Sequence, residues 1–302
     1  MQKSVRARRD GDPMMYDTLF APFVDFAFMR RALVGGIALS LGGGPVGVFL
    51  MLRRMSLTGD VMAHAILPGV AIAYLMFGLA LGPMTIGGLL AGLVVALLAG
   101  LVARTTVLRE DASLATFYLL SLALGVTIVS LKGSNVDLLH VLFGSVLALG
   151  DDALVLLAGI ATISLVTMAL IFRPLVLDTV DPGFLRSVSK VGAPVHLIFL
   201  ALVVLNLVGG FNALGTLLAV GLMMLPAAAS RFWTDDITGM ILIAMLTGIL
   251  ASFMGLLTSY HFNLAAGPSI ILAAGLITLF SMSLGWKEGV VWRFFRRRHL
   301  AH

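Results

Sequence analysis

Two ionisable side chains, Asp60 and His64, lie four positions apart in RRMSLTGDVMAHAILPG (53–69), a stretch that opens with two arginines and ends inside a long apolar run. On a helix, residues four apart project from the same face with their Cβ atoms about 6 Å apart. Carboxylate and imidazole together suit Zn²⁺, Mn²⁺ or Fe²⁺, and ionisable groups inside a membrane are usually functional. The pair is therefore predicted to be a metal or proton site. The competing interpretation is a buried histidine bonded to a neighbouring helix, with Asp60 as the N-cap.

The helical rise gives an expected depth for this pair. If one helix continues from Arg53, His64 lies roughly 16 Å beyond it, near the middle of a bilayer whose headgroups the arginines mark. Pro68 and Gly69 predict a helix break one turn later. That break is either a kink that packing repairs or an interruption that lines a cavity, as in transporters. Pro226, in MMLPAAAS (223–230), predicts a further break.

The composition is that of a membrane protein. The chain has 302 residues, of which 60% are hydrophobic and 12% charged, against about a quarter charged in soluble domains. Its apolar runs are long enough to cross a hydrocarbon core of about 30 Å, and they are continuous where a barrel would alternate. We expect an all-α, polytopic helical membrane protein with about nine spans, at 31–52, 61–81, 84–103, 113–131, 153–172, 195–210, 213–231, 237–258 and 266–286.

Basic residues give the expected orientation. With nine spans, Arg53, Arg54, Arg231 and the stretches 104–109 and 173–190 share one side with the basic tail 292–302. The positive-inside rule makes that side cytoplasmic, so the net charge of +5 is no indication of nucleic-acid binding. The transmembrane domain is expected to span 28–291, with a cytoplasmic C-terminus.

The N-terminal arm, 1–27, conflicts with this orientation because it carries KSVRARR (3–9) and would lie outside. It is cytoplasmic with an extra short helix around 16–29, or it is translocated despite its charge, or translation begins at Met14 or Met15. We favour the third interpretation because it adds no span.

The sequence lacks the motifs of several classes of enzyme. The sequence has no G-x-x-x-x-G-K-[ST] phosphate-binding loop and no H-E-x-x-H, so we expect neither ATP hydrolysis nor zinc proteolysis by this chain. It has no cysteine, which excludes thiolate metal sites. An enzyme is not expected.

Polar connections offer further candidates. The segment 173–193 is the longest polar interruption, with a short amphipathic run at 182–190 and Gly192 as its predicted stop. It is either a solvated loop or a docking element for a cytoplasmic partner. The stretch 135–152, with His140, is expected to be an outer loop or a re-entrant segment. His261 and Asn263 are either turn residues or groups facing a transport pathway.

The region 28–75 resembles the opening of the permease subunits of bacterial zinc/manganese/iron ABC importers. The resemblance is carried by a glycine-rich first helix, Arg-Arg-Met-Ser (53–56), Gly-Asp-x-x-x-His (59–64) and Pro-Gly (68–69). Further stretches are similar to the family in the same order, so that the resemblance covers 28–286; they are 136–149, 181–192, 214–231 and 259–272.

That resemblance implies a type II ABC importer permease in the bacterial inner membrane. It implies a homodimer around one pathway, a separate cytoplasmic ATPase, an extracytoplasmic metal-binding protein, and a metal-handling role for Asp60 and His64. Zinc is the expected cargo, with no resident cofactor. The family's coupling segment carries over to Asp181, Pro182, Phe184, Leu185 and Gly192.

Two positions depart from the family pattern. Many relatives have an acidic residue where Asn263 and Ser145 stand. Because neutral oxygens bind a dication more weakly than carboxylates, either these positions are not ligands in this chain or the pathway site is weaker.

Other interpretations remain open. The first is a manganese or iron importer of the same family. The second is an importer of vitamin B12 or ferric siderophores, although such permeases are usually longer and their large ligands do not need Asp60 and His64. The third is a secondary carrier without an ATPase, which should show an internal inverted repeat that is not evident in this sequence.

Overall fold

The computed structural model describes residues 18–78, 80–108, 110–131, 149–188, 191–287 and 289–291. Within these ranges the regular elements are all helices. Most of the predicted outer loop, including His140 and Ser145, lies outside the described residues. So do the basic arm up to residue 17 and the tail 292–302.

The described helices follow one another with short connections. In chain order they are α1 (Ala21–Asp25), α2 (Ala27–Leu52), α3 (Thr58–Ala65), α4 (Leu67–Phe77), α5 (Leu81–Thr105), α6 (Glu110–Leu131), α7 (Asp151–Val180), α8 (Pro182–Val188), α9 (Gly192–Leu214), α10 (Thr216–Ser230), α11 (Ile237–Phe262) and α12 (Ala266–Leu284).

The predicted all-helical membrane architecture is confirmed in the described part of the chain. Seven helical segments there are long and apolar enough to cross a membrane, with α3 and α4 together forming one, Thr58–Phe77. Two shorter apolar helices, Ala112–Ile128 and Thr216–Ser230, occupy the remaining predicted spans.

Helix α2 lies at the centre of the bundle and is the most deeply buried of those seven segments. It packs against α7, α10 and α11. Gly36 of α2 faces Ser252 of α11, and Ser40 faces Gly248. A Cβ at Gly36 or Gly248 would lie 2.7 Å from the opposing hydroxyl oxygen. Small residues therefore let the two backbones approach closely, which is how helices associate where lipid removes the hydrophobic driving force.

The end of α7 differs from the loop that the sequence predicts. The sequence predicts a polar interruption at 173–180, but these residues form the last two turns of α7, which runs to Val180 with Pro174 inside it. Asp178 can stay in the helix because it forms an ion pair with Arg53 at 2.7 Å.

Gly192 does not end the short helix that precedes it. It is the first residue of α9, whereas α8 ends at Val188. A Cβ at Gly192 would lie 3.3 Å from the Leu185 side chain. The glycine thus makes room for the buried leucine of α8.

The described part of the N-terminal arm folds onto the bundle. Helix α1 has five residues, too few to cross a membrane. Phe23 is buried and stacks on Phe253 of α11, with ring centroids 5.1 Å apart.

Candidate metal site

A tight turn separates α2 from α3 and sets the position of the acidic residue. The Met55 N–H donates to the Leu50 carbonyl and the Arg54 N–H to the Met51 carbonyl, while Arg54 takes the left-handed conformation at φ 60°. This is the Schellman pattern of a helix C-terminus. Helix α3 begins after it, at Thr58, with Leu57 in the N-cap position.

Asp60 therefore lies in the first turn of α3 and not at its cap, so the N-cap role in the competing interpretation is wrong. The premise of the depth estimate also fails, because no single helix runs from Arg53 to His64: one helix ends at Leu52 and the next begins at Thr58. Counted from Thr58, six residues place His64 only about 9 Å along the helix axis.

The imidazole of His64 is oriented by its own helix. Its Nδ1 lies 3.0 Å from the backbone carbonyl oxygen of Asp60. A carbonyl can only accept a hydrogen bond, so in this contact Nδ1 carries the proton. The lone pair is then on Nε2, the atom that a neutral histidine offers to a metal when its other nitrogen is held by a carbonyl.

The two side chains are accessible on one face. Asp60 is exposed and His64 half-buried. The ring of Tyr118, on α6, meets the imidazole edge to face, with centroids 5.8 Å apart and planes at 78°. In the described residues no group of three or more His, Asp or Glu could enclose a metal ion. Among the described residues, Asp60 and His64 are thus the two candidate ligands at this place.

The helix break after this pair is covered by α6. The chain leaves α3 at Ile66 and Pro68 falls in the first turn of α4. The Ser121 hydroxyl donates to the Ala65 carbonyl at 2.8 Å, and Gly125 packs against Leu67 and Pro68. The break is thus packed against α6, and the backbone carbonyl of Ala65 beside it is hydrogen-bonded.

The predicted break at Pro226 is wrong. Helix α10 continues through that residue, from Thr216 to Ser230. The Thr278 hydroxyl of α12 donates to the adjacent Leu225 carbonyl at 3.0 Å.

His261 and Asn263 lie at the other end of the bundle. Their neighbour Tyr260 contacts Phe26, just before α2 begins, whereas Asp60 follows the end of α2. The 26 residues of α2 separate the two places by about 39 Å. His261 Nε2 lies 3.1 Å from the Thr18 carbonyl, and Asn263 ends α11 in the left-handed conformation. These residues cannot share one ion with Asp60 and His64.

Helix α8 is a capped element at the end of α7. The Asp181 carboxylate accepts a hydrogen bond from the Phe184 N–H at 2.8 Å, the geometry of an N-cap, and Pro182 occupies the favoured first position. Leu185 is buried, while Phe184 is 54% exposed. The element thus turns one apolar residue inward and one outward.

Sequence reasoning missed Tyr118 and Ser121. A signal for α6 was available in Ser113 and Ser121, two hydroxyl side chains within an apolar helix and eight positions apart, which places them on adjacent sides of it. Both serines are buried and bond carbonyls of neighbouring helices, those of Ala99 and Ala65.

Comparison with known proteins decides the family. The sequence profile of the ABC 3 transport family matches residues 25–285. The chain belongs to the ABC 3 transport family.

Curated relatives of this family member cover almost its whole length. It is 32% identical over 274 residues to the manganese import system permease protein ScaB of Streptococcus parasanguinis, covering 89% of this chain and 96% of the relative. It is 31% identical over 278 residues to the manganese transport system membrane protein MntC of Halalkalibacterium halodurans, covering 92% and 94%.

Solved structures agree with the fold of this family member. The complex PsaBC from Streptococcus pneumoniae, solved with a Fab, superposes with a TM-score of 0.80 at 30% identity, covering 92% of this chain and 99% of the matched one. An inward-facing metal-chelate type ABC transporter gives a TM-score of 0.66 at 14% identity, which supports the fold alone.

Proposed function

We propose that the chain is the membrane-spanning permease subunit of an ABC importer that carries manganese into the cytoplasm. The observation that carries the proposal is the pair of Asp60 and His64, held on one accessible face with the histidine in its ligating tautomer. The support from relatives is the identity of about a third to chains named as manganese permeases.

Manganese replaces zinc as the preferred cargo. The Irving–Williams order ranks zinc above manganese at a nitrogen and oxygen site, which is why the residues alone favour zinc. The ScaB and MntC relatives are named for manganese, which favours the alternative of a manganese importer. A carboxylate with one imidazole and water accommodates manganese well. An extracytoplasmic binding protein would make the selection before the ion reaches the permease.

A second copy of the chain would complete the site. An exposed carboxylate on a membrane helix is costly where it faces lipid, and two ligands are too few to replace the hydration shell of a dication. Two chains facing each other through α3 would supply two carboxylates and two imidazoles, with water filling the rest. Water ligands would leave open positions in the coordination sphere, so that the ion could leave, as conduction requires.

The energy would come from a separate cytoplasmic ATPase. Its docking element would be α8 with its flanks, the segment that carries Asp181, Pro182, Phe184, Leu185 and Gly192. The exposed Phe184 and Val180 supply apolar contact area there. Closure of the ATPase would move α8 and shift the helices, so that the site opens to one side and then the other.

The test is metal uptake by the complex of this permease with its ATPase and binding protein in proteoliposomes. His64→Ala and Asp60→Asn should each lower ATP-dependent manganese uptake by about ten-fold or more, because each removes a direct ligand from every copy. ATP hydrolysis by the assembled complex should persist. Uptake is measured by elemental analysis with manganese and zinc in parallel, and faster zinc uptake would return the cargo to zinc.

Asp152→Asn is the matched control, since Asp152 is also an exposed aspartate in the first turn of a helix. It should leave uptake unchanged. Normal manganese uptake by His64→Ala would refute the site.

A further inference from the structure

Arg53 is the centre of a buried polar cluster that the proposed metal site does not use. Its guanidinium donates to Asp178 Oδ2 at 2.7 Å through one terminal nitrogen and lies 3.0 Å from His196 Nδ1 through the other. Its Nε donates to Thr179 Oγ1 at 3.1 Å. The same group lies over the Phe199 ring, 4.9 Å from the centroid. Arg53, Asp178, Thr179, His196 and Phe199 are called the Arg53 cluster below.

The ion pair at the centre of the Arg53 cluster is buried, and the geometry of the cluster is specific. The side chains of Arg53 and Asp178 are 8% and 10% exposed. Because a guanidinium can only donate, His196 Nδ1 accepts in this contact, so the ring is neutral there with its proton on Nε2. The planar fork of arginine serves three acceptors and an aromatic face at once, which lysine could not do.

The cluster joins the helix ends around the proposed docking element. Asp178 and Thr179 are in the last turn of α7, directly before α8, and His196 and Phe199 lie near the start of α9, directly after it. Arg53 itself follows the last residue of α2. Movement of α8 would therefore act on Arg53 through both of its flanking helices.

Arg53 is also tied closely to the metal-site helix. It precedes the Schellman turn, and the Thr58 N–H that opens α3 donates to the Met55 carbonyl of that turn. Met55 and Leu50 are both buried in the same apolar cluster. Seven positions thus lead from Arg53 to Asp60, and the hydrogen bonds of the Schellman turn and the buried Met55 anchor that connection.

We propose that Arg53 is a positioning residue which, through Asp178 and His196, transmits the movement of α8 to α3 and so links ATP hydrolysis to the exposure of Asp60 and His64. This inference rests on the proposed transport function. It assigns a role to the first arginine of Arg-Arg-Met-Ser, whereas its neighbour Arg54 is exposed and serves the turn through its backbone.

The first measurement is the number of manganese ions imported per ATP hydrolysed by the complex of permease, ATPase and binding protein in proteoliposomes. Arg53→Gln and Asp178→Asn should each lower this ratio by about ten-fold, a common size for loss of coupling between two sites. ATP hydrolysis should continue. Arg54→Gln, which removes the same charge one residue away, should keep the wild-type ratio.

The second measurement follows α3 directly and does not depend on the cargo. The chain has no cysteine, so Leu57→Cys, at a position 78% exposed beside α3, introduces one thiol in each permease chain. Its rate of labelling by a maleimide should change between the nucleotide-free and the ATP-trapped complex. In the Arg53→Gln background the two rates should be equal.

The outcomes separate the two proposals. Suppose the complex transports a different ion, but the labelling rate at position 57 changes with nucleotide only when Arg53 is present. The metal assignment then fails, and the proposed role of Arg53 stands. If Arg53→Gln keeps both the wild-type ratio and the nucleotide response, the link is refuted. It is also refuted if uptake and hydrolysis fall in equal proportion with the amount of assembled complex, since the cluster then only maintains the fold.

Discussion

At the scale of single residues, the spacing of four between Asp60 and His64 does two things. It places both side chains on one face of α3, and it brings His64 Nδ1 to the Asp60 carbonyl. The second effect selects the tautomer without help from another helix. The remaining freedom of the ring is rotation, and Tyr118 restricts it by an edge contact.

Tyr118→Ala should raise the manganese concentration for half-maximal uptake. An aromatic pair of this kind contributes about 0.5–1.5 kcal/mol, so the increase should be roughly two- to ten-fold. Tyr118→Phe keeps the ring and should behave as wild type. Concentration-dependent uptake in proteoliposomes gives the measurement, and identical half-maximal concentrations for the two variants would contradict the role of Tyr118.

At this scale the sequence predicts what is local and misses what is distant. The shared face of Asp60 and His64 follows from helical periodicity alone. The N-cap role and the unbroken helix from Arg53 to His64 both fail, because the Schellman turn at Arg54 uses arginine where glycine is usual and so leaves no recognisable signal. Arg53 and Asp178 are 125 positions apart, and no local pattern reports that they meet.

At the scale of helices, the break between α3 and α4 depends on its neighbours. Ser121 of α6 satisfies the carbonyl that the break frees. On the other side, Gly69 of α4 and Gly87 of α5 meet backbone to backbone, so that a Cβ on either would collide with the other's carbonyl. The broken span is thus held between α5 and α6.

Gly87→Ala should destabilise the protein by about 1–3 kcal/mol, because the added methyl forces α4 and α5 apart. Gly100→Ala, in the same helix but with open space around it, should have no such cost. Thermal unfolding of the detergent-solubilised protein measures both variants. An equal midpoint for the two would show that the approach of α4 to α5 is not tight.

The sequence predicts the helices well because crossing a bilayer needs a long apolar run, and hydropathy reports such runs directly. It fails where a charge lies inside a helix. Arg173 and Asp178 make the end of α7 resemble a loop, although Arg53 neutralises the aspartate. The role of Gly192 is to accommodate Leu185, a tertiary contact that the local pattern does not report.

At the scale of the whole molecule, the exposed Asp60 and half-exposed His64 favour a second copy of the chain opposite α3. The purified complex should therefore contain two permease chains, that is, about twice the chain mass of 31.9 kDa in permease protein. Light scattering with subtraction of the detergent and of the ATPase measures this mass. A single permease chain in an active complex would contradict the shared site.

The central position of α2 has a consequence for how the protein is made. This helix leaves the ribosome first among the long spans, yet its glycine-rich sides are covered by α7, α10 and α11, which are synthesised much later. Until those helices are made, the glycine-rich sides of α2 would face lipid. The packing of α2 into the bundle would therefore be completed only near the end of translation. Chains truncated before α11 would lack the helix that packs against Gly36. Quality-control proteases should degrade such chains.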